Sequence, residues 1–103
     1  MKKPIYWRIQ GHEGLTLIFE RTVKIGQFTD DQMKDLLRAL AAKAGLSFNE
    51  IVGAYATRRT KIANDLLAVH RDVHHSTLMC GSDHVFTASM LDENGKLVVH
   101  PQL

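Results

Sequence analysis

The chain has 103 residues, of which 45% are hydrophobic and 23% are charged, and its formal net charge is +2 at pH 7. This length suits one domain, 1–103, and the composition excludes general disorder and fibrous repeats. So small a net charge does not by itself indicate a nucleic-acid or membrane partner. Cys80 is the only cysteine, which excludes an internal disulfide and favours a reducing compartment, so we expect a cytoplasmic protein. No apolar run has the length of a signal peptide or a membrane span, so no membrane partner is expected.

The first 25 residues predict a β-hairpin. Apolar and polar side chains alternate from Ile5 to Gln10, and the alternation resumes from Leu15 to Ile25. Residues 11–14, which begin and end with glycine, separate the two runs. A period of two on both sides of a glycine-bounded turn is typical of two antiparallel strands.

A helix is predicted to follow the hairpin. Thr29 or Asp30 can cap its first turn, since a short oxygen-bearing side chain accepts an unpaired backbone N–H and acids favour the positive helix end. Apolar residues then recur at the spacing of one helix face. These residues are Met33, Leu36, Leu37, Leu40, Ala41 and Ala44.

Residues 45–50 predict the end of that helix and the start of another. Gly45 can end a helix by adopting a left-handed backbone, and Ser47 with Glu50 forms a capping box. Past this point the apolar residues keep one helical register as far as residue 73, so a single helix can reach about His74. We favour instead a break or kink near residues 57–60, because Gly53 costs about 1 kcal/mol in a helix interior and Thr60 can cap a second helix. The residues in this register are Phe48, Ile51, Tyr55, Ile62, Leu66, Val69 and Val73.

The last third of the chain returns to a period of two. Residues 77–80, 84–91 and 96–100 are predicted strands, separated by turns at 81–83 and 92–95. The predicted fold is therefore α+β: a single-domain two-layer sandwich with about five mostly antiparallel strands, in the order β-β-α-α-(α)-β-β-β, and with helices on one face.

Residues 37–61 contain a spacing of small and apolar residues that suits two crossed helices. Ala41, Gly45, Leu46 and Ile51 occupy the positions of the small residue, the turn glycine and the two apolar contacts. In this spacing the segment resembles the helix-turn-helix of bacterial repressors, including the lac repressor family. The resemblance implies that DNA bases and phosphates are contacted from the start of the second helix and from the basic residues after it. The residues implied are Ser47, Phe48, Asn49, Arg58, Arg59 and Lys61.

The charge distribution and the side chains of the second helix bear on this interpretation. Residues 34–61 hold six basic residues against two acidic ones, so positive charge is concentrated there. Val52, Gly53 and Ala56, however, offer no hydrogen bond to a base edge at the next outward positions. The alternative is an ordinary helical hairpin, in which Gly45 and Ser47 only end and begin helices.

Histidine and cysteine residues suggest a second alternative, a metal site. His70 and His74 share a helix face if the helix extends that far, while Cys80 and His84 flank the turn at 81–83. Their spacing matches no established zinc signature, so no cofactor is expected. Cys80 in an apolar strand is more typical of a small core residue than of a catalytic thiol, and an enzyme is not favoured.

The sheet is expected to leave one face open, because helices cover only the other. The sequence does not decide which face of the sheet is covered by the helices. One candidate set for the open face combines residues of the first and fourth predicted strands. These residues are Tyr6, Arg8, Gln10, Phe86 and Met90. The leading interpretation is a small non-catalytic binding or interaction domain that self-associates as a homodimer, with its ligand or protein partner unknown. The alternative is a DNA-binding regulator that uses residues 37–61.

Overall fold

The protein folds into one antiparallel sheet with an α-helix packed across it and a second helix beside the first. The computed structural model describes residues 3–56, 61, 63–72 and 76–98. In chain order the elements are β1 (Tyr6–Glu13), β2 (Thr16–Lys24), a 3-10 turn (Ile25–Gln27), α1 (Asp30–Gly45), α2 (Phe48–Tyr55), β3 (Val69–Asp72), β4 (Thr77–Cys80) and β5 (His84–Leu91). The sheet order is β2-β1-β5-β4-β3, and each neighbouring pair is antiparallel. The predicted α+β fold of about five antiparallel strands with two helices is confirmed.

The two faces of the sheet have different environments. Trp7 faces Met90 and Ile9 faces Ala88 across β1 and β5, and these side chains point towards α1. Tyr6 faces Leu91 and shares the opposite side. We call the first side the helix face and the second the open face. The buried residues of the helix face form one cluster with α1, which includes Trp7, Ile9, Leu78, Cys80, Phe86 and Ala88.

Helix α1 packs through the apolar stripe that the sequence predicts. Met33, Leu37 and Ala41 are buried at four-residue intervals, and α1 lies over β5, β4 and β3. At its start the Thr29 hydroxyl accepts the Gln32 N–H at 3.1 Å, while the Thr29 N–H donates to Gln32 Oε1 at 3.0 Å. These reciprocal bonds satisfy two N–H groups that a helix start leaves unpaired. The predicted cap at Thr29 is confirmed.

The role predicted for Gly45 is wrong, although the helix does end there. Gly45 is not among the glycines with positive φ, and Leu46, which follows it, has an extended backbone. Glycine is required at position 45 for another reason, which is its lack of a side chain. A Cβ at Gly45 would lie 2.8 Å from Nδ1 of His84, so glycine allows the helix end to approach the start of β5.

Two other sequence predictions need correction. β1 continues through Gly11 to Glu13, so the hairpin turn lies at Gly14 rather than across residues 11–14. The helical region predicted to reach about His74, as one helix or two, is wrong in its last part: α2 ends at Tyr55, and Val69–Asp72 forms β3. The helical spacing of Leu66 and Val69 was misleading, because pairing with β4 determines the backbone of β3.

Some predictions fall at or beyond the edge of the described residues. The proposed break at residues 57–60, and His74, lie outside them. The strand predicted at 96–100 is described only as far as residue 98, where Leu97 forms an isolated bridge with Leu91. Among the described residues, no helix is long and apolar enough to cross a membrane.

Replacing Gly11 by alanine tests the packing of the helix face. A methyl group at Gly11 would collide with the ring of Phe86, so Gly11→Ala should lower the free energy of unfolding by about 1–3 kcal/mol. Gly26→Ala is the matched control, because no heavy atom lies within 4 Å of its added Cβ, and it should change stability by less than about 0.5 kcal/mol. Urea denaturation of both variants gives the comparison. Equal stabilities would contradict the contact between Gly11 and Phe86.

Candidate interaction surface

Helix α2 exposes a line of large apolar side chains. Phe48, Val52 and Tyr55 follow each other at spacings of four and three residues, so they share one helix face. Their exposed fractions are 89%, 58% and 66%. The opposite side of α2 carries Gly53, which is buried, and Ala54, which packs against the core. We call Phe48, Val52 and Tyr55 the α2 stripe.

Hydrogen bonds hold both ends of α2. Ser47 and Glu50 form the predicted capping box, in which the Ser47 N–H donates to Glu50 Oε1 at 2.9 Å and the Glu50 N–H donates to the Ser47 hydroxyl at 3.2 Å. At the other end Asn64 donates its backbone N–H to the Gly53 carbonyl and its Nδ2 to the Glu50 carbonyl, both at 3.0 Å. The capping box therefore stabilises the first turn of the helix that carries the α2 stripe, and the two Asn64 bonds attach that helix to the segment before β3.

The residues implied by the helix-turn-helix resemblance lie around this stripe. Phe48, Asn49 and Lys61 are exposed, and so is Ser47, although its hydroxyl caps α2. Arg58 and Arg59 lie outside the described residues. The outer side of α2 is exposed, as a helix that enters a DNA groove requires, but its largest exposed side chains are apolar.

Two basic residues of α1 are paired within the helix. Nζ of Lys34 lies 3.9 Å from Oδ1 of Asp31, and Nη1 of Arg38 lies 3.0 Å from Oδ1 of Asp35. These pairs reduce the local positive charge that residues 34–61 offer to a phosphate backbone.

The sheet register divides the five residues predicted for the open face. Tyr6, Arg8 and Gln10 do lie there, opposite Leu91, Ser89 and Thr87 of β5, respectively. Phe86 and Met90 lie on the helix face instead, because β5 meets β1 in the register that places Phe86 opposite Gly11. Phe86 is buried and its ring centroid is 6.4 Å from that of Phe19. The combined set was therefore wrong for Phe86 and Met90.

The three proposed metal ligands that the structure describes, His70, Cys80 and His84, do not form a metal site. Cys80 is buried on the helix face, whereas His70 is exposed and lies on the open face, opposite Met79. Nε2 of His84 lies 3.7 Å from Glu13 Oε2, and His74 is outside the described residues. Among the described residues, no group of three His, Cys, Asp or Glu side chains could hold a metal ion.

Cys80 does not have the environment of a nucleophile. Burial raises the pKa of its thiol, and the positive charge of Arg38 offsets this only in part. A reactive cysteine requires the opposite shift, because the thiolate is the attacking species. Cys80 therefore serves as a core residue beside Phe86, its partner across β4 and β5.

A groove of about 870 Å³ lies between the end of α2 and the segment that leads into β3. Arg38, Tyr55, Asn64 and His70 are among its lining residues. A smaller cavity of about 110 Å³ lies under the helix joint, beside Gly45 and His84.

Comparison with known proteins does not assign the chain to a group. No protein-family model matches it, and neither the curated proteins nor the solved structures contain a significant match. What the protein does therefore has to be inferred from the geometry of its own surfaces.

The α2 stripe was not predicted from the sequence, where Phe48 and Tyr55 were placed in one helical register with Ile51 and the apolar residues that follow. One pattern in the sequence does indicate an exposed apolar surface on this helix. Apolar residues extend round much of this helix: Phe48, Val52 and Tyr55 lie on one side, Ala54 lies on the other, and Ile51 lies between them. A short helix that is apolar on two sides and supports a small domain has one side left for a partner.

Thiol labelling tests the environment of Cys80. Because burial raises its pKa, the folded protein should react slowly with iodoacetamide and the urea-unfolded chain rapidly. As the pH rises through the ordinary pKa of a thiol, the Cys80 thiol loses its proton in the unfolded chain before it does so in the folded protein. The free energy of unfolding should therefore fall over that range relative to the Cys80→Ala variant. Equally rapid labelling of the folded and unfolded protein would contradict the burial of Cys80.

Proposed function

We propose that the protein is a small non-catalytic interaction domain that acts as a homodimer and binds a protein partner through the α2 stripe. The observation that carries the proposal is the exposure of Phe48, Val52 and Tyr55 on one side of a helix that the capping box and the Asn64 bonds stabilise. Neighbouring exposed apolar side chains on a folded domain are typical of a surface that another molecule covers.

The residue types of the stripe support a protein partner. Aromatic residues are enriched at the centres of protein interfaces because they bury a large area with few rotatable bonds. Phe48 and Tyr55 supply two such side chains, with Val52 between them. The bonds from Asn64 to α2 support the same interpretation, because a helix that is ordered before binding loses less conformational entropy on association.

Duplex DNA is the competing partner. The exposed outer side of α2 and the exposed amide of Asn49 are compatible with it. The α2 stripe is less suited to it, because base edges are read mainly by hydrogen bonds and only the thymine methyl offers an apolar contact. The pairing of Lys34 and Arg38 with acidic neighbours further reduces the attraction for phosphates. These observations support a protein partner for the α2 stripe more than duplex DNA.

Substitutions on α2 test this function. Wild-type protein serves as bait in an extract of the source cells, and each captured protein is purified and titrated against the wild type and its variants. Phe48→Ser should weaken a genuine complex about 30-fold or more, since loss of a central aromatic side chain costs about 2 kcal/mol. Asn49→Ala is the matched control, because Asn49 is exposed on the same turn but does not belong to the stripe.

Two results would contradict the proposal. One is the absence of any purified protein whose affinity depends on Phe48. The other is binding to duplex DNA that weakens steeply with salt and depends on Asn49 more than on Phe48, which would establish the regulator instead.

A further inference from the structure

Strand β2 forms a long edge of the sheet. It has nine residues and pairs with β1 on one side, and no strand of the described part of the chain pairs with its other side. The opposite edge, β3, has only four residues, and its Arg71 is bonded to Asp30 of α1 at 2.7 Å. An unpaired strand of this length offers a row of backbone donors and acceptors to another strand.

The outward backbone groups of β2 can be identified from its hydrogen bonds. The Ile25 N–H donates to the Ile5 carbonyl at 2.9 Å, so odd-numbered residues at this end of β2 point their backbone groups towards β1. The N–H groups of Glu20, Thr22 and Lys24 therefore point away from the sheet, since successive residues of a strand alternate. Of these three groups, the Lys24 N–H already donates to Oε1 of the exposed Gln27 side chain within the same chain.

We infer that a second copy of the chain pairs its β2 with this β2 in antiparallel orientation, about a two-fold axis at Thr22. The two five-stranded sheets then form one continuous sheet of ten strands. This inference rests on the homodimer of the proposed function and specifies how its two copies meet. It leaves the α2 stripe free, because α2 is attached to the segment leading into β3, at the other edge of the sheet.

Charge favours an axis at Thr22 over the neighbouring alignments at Glu20 and Arg21. A two-fold axis perpendicular to the sheet places one residue of β2 opposite its own counterpart. An axis at Glu20 or Arg21 would place like charges directly opposite each other, which is unfavourable. An axis at Thr22 instead places Glu20 of each copy opposite Lys24 of the other, on the open face.

The side chains of these residues are available for the two ion pairs. Lys24 is exposed and makes no ion pair with another described residue. Glu20 is also exposed, and its Oε2 accepts a hydrogen bond from Gln10 Nε2 at 2.6 Å, which leaves its charge uncompensated. Cross-strand pairs of opposite charge stabilise an antiparallel sheet. On the helix face the same alignment places Arg21 of each copy opposite Val23 of the other.

The charges of β2 also argue against indiscriminate pairing. Charged side chains on an edge strand commonly prevent aggregation. Here their arrangement opposes two alignments and favours one, which is the pattern expected of an edge that accepts a single self-complementary partner.

Charge substitutions test the interface directly. Sedimentation equilibrium should show a wild-type dimer, and Glu20→Lys or Lys24→Glu alone should weaken it at least about tenfold, because each change creates two like-charge pairs. The double variant Glu20→Lys/Lys24→Glu should regain wild-type affinity. An equimolar mixture of the two single variants should form a heterodimer, because their charges are again complementary. Lys43→Glu makes the same charge change at an exposed position of α1, the helix that lies over β5, β4 and β3, and should have no effect on the dimer.

Nitroxide labels provide an independent measurement. In a Cys80→Ala background, labels at Thr22→Cys should give the shortest distance between copies, and labels at Tyr55→Cys a much longer one. A dimer that is insensitive to the charge substitutions and has distant labels at position 22 would overturn the β2 interface while leaving the homodimer intact. A wild-type monomer at all concentrations would overturn both the interface and the homodimer, but not partner binding through the α2 stripe.

Discussion

The packing of α1 against the helix face of the sheet is the interaction on which the rest of the structure depends. Met33, Leu37 and Ala41 meet a layer centred on Trp7 and Ala88, which come from opposite ends of the chain. Burial of this apolar surface must offset the conformational entropy of bringing those ends together. The Trp7 indole also donates to the Phe28 carbonyl at 3.3 Å, which attaches the entry to α1 to the first strand. Once α1 is seated, both the end of the helix at Gly45 and the start of β5 are positioned.

Helix α2, unlike α1, contributes little to this core. Its contribution is chiefly Ala54. Its first turn is stabilised by the reciprocal bonds between Ser47 and Glu50, and Asn64 attaches it to the segment before β3. The sheet and α1 thus provide stability, while α2 provides a surface. Such a division allows the outer residues of α2 to be chosen for a partner without loss of the fold, since exposed side chains contribute little to stability. The free edge of β2, on the other side of the sheet, is equally separate from the core.

Local patterns predicted the elements that local interactions determine. The alternation of β1 and β5, the cap at Thr29 and the capping box at Ser47 all depend on residues close in sequence, and all are confirmed. β3 was missed because its backbone is determined by distant β4, while Leu66 and Val69 retain a helical spacing. The position of Phe86 and the need for glycine at position 45 likewise depend on strand register and on His84, which no local pattern contains. The candidate site was only half predicted: residues 47–49 were singled out, but the apolar character of their surface became clear only from the orientation of α2.

Hydrogen exchange of individual backbone amides tests the central claim, that the sheet and α1 form the stable core and α2 is presented by it. The amides of α1, β1 and β5 should exchange only through global unfolding, with the opening free energy that urea denaturation gives for the whole protein. The amides of α2 should exchange through an opening of distinctly lower free energy, because few of its side chains are buried. Equal protection of α2 and α1 would mean that α2 belongs to the core, and would contradict this division of roles.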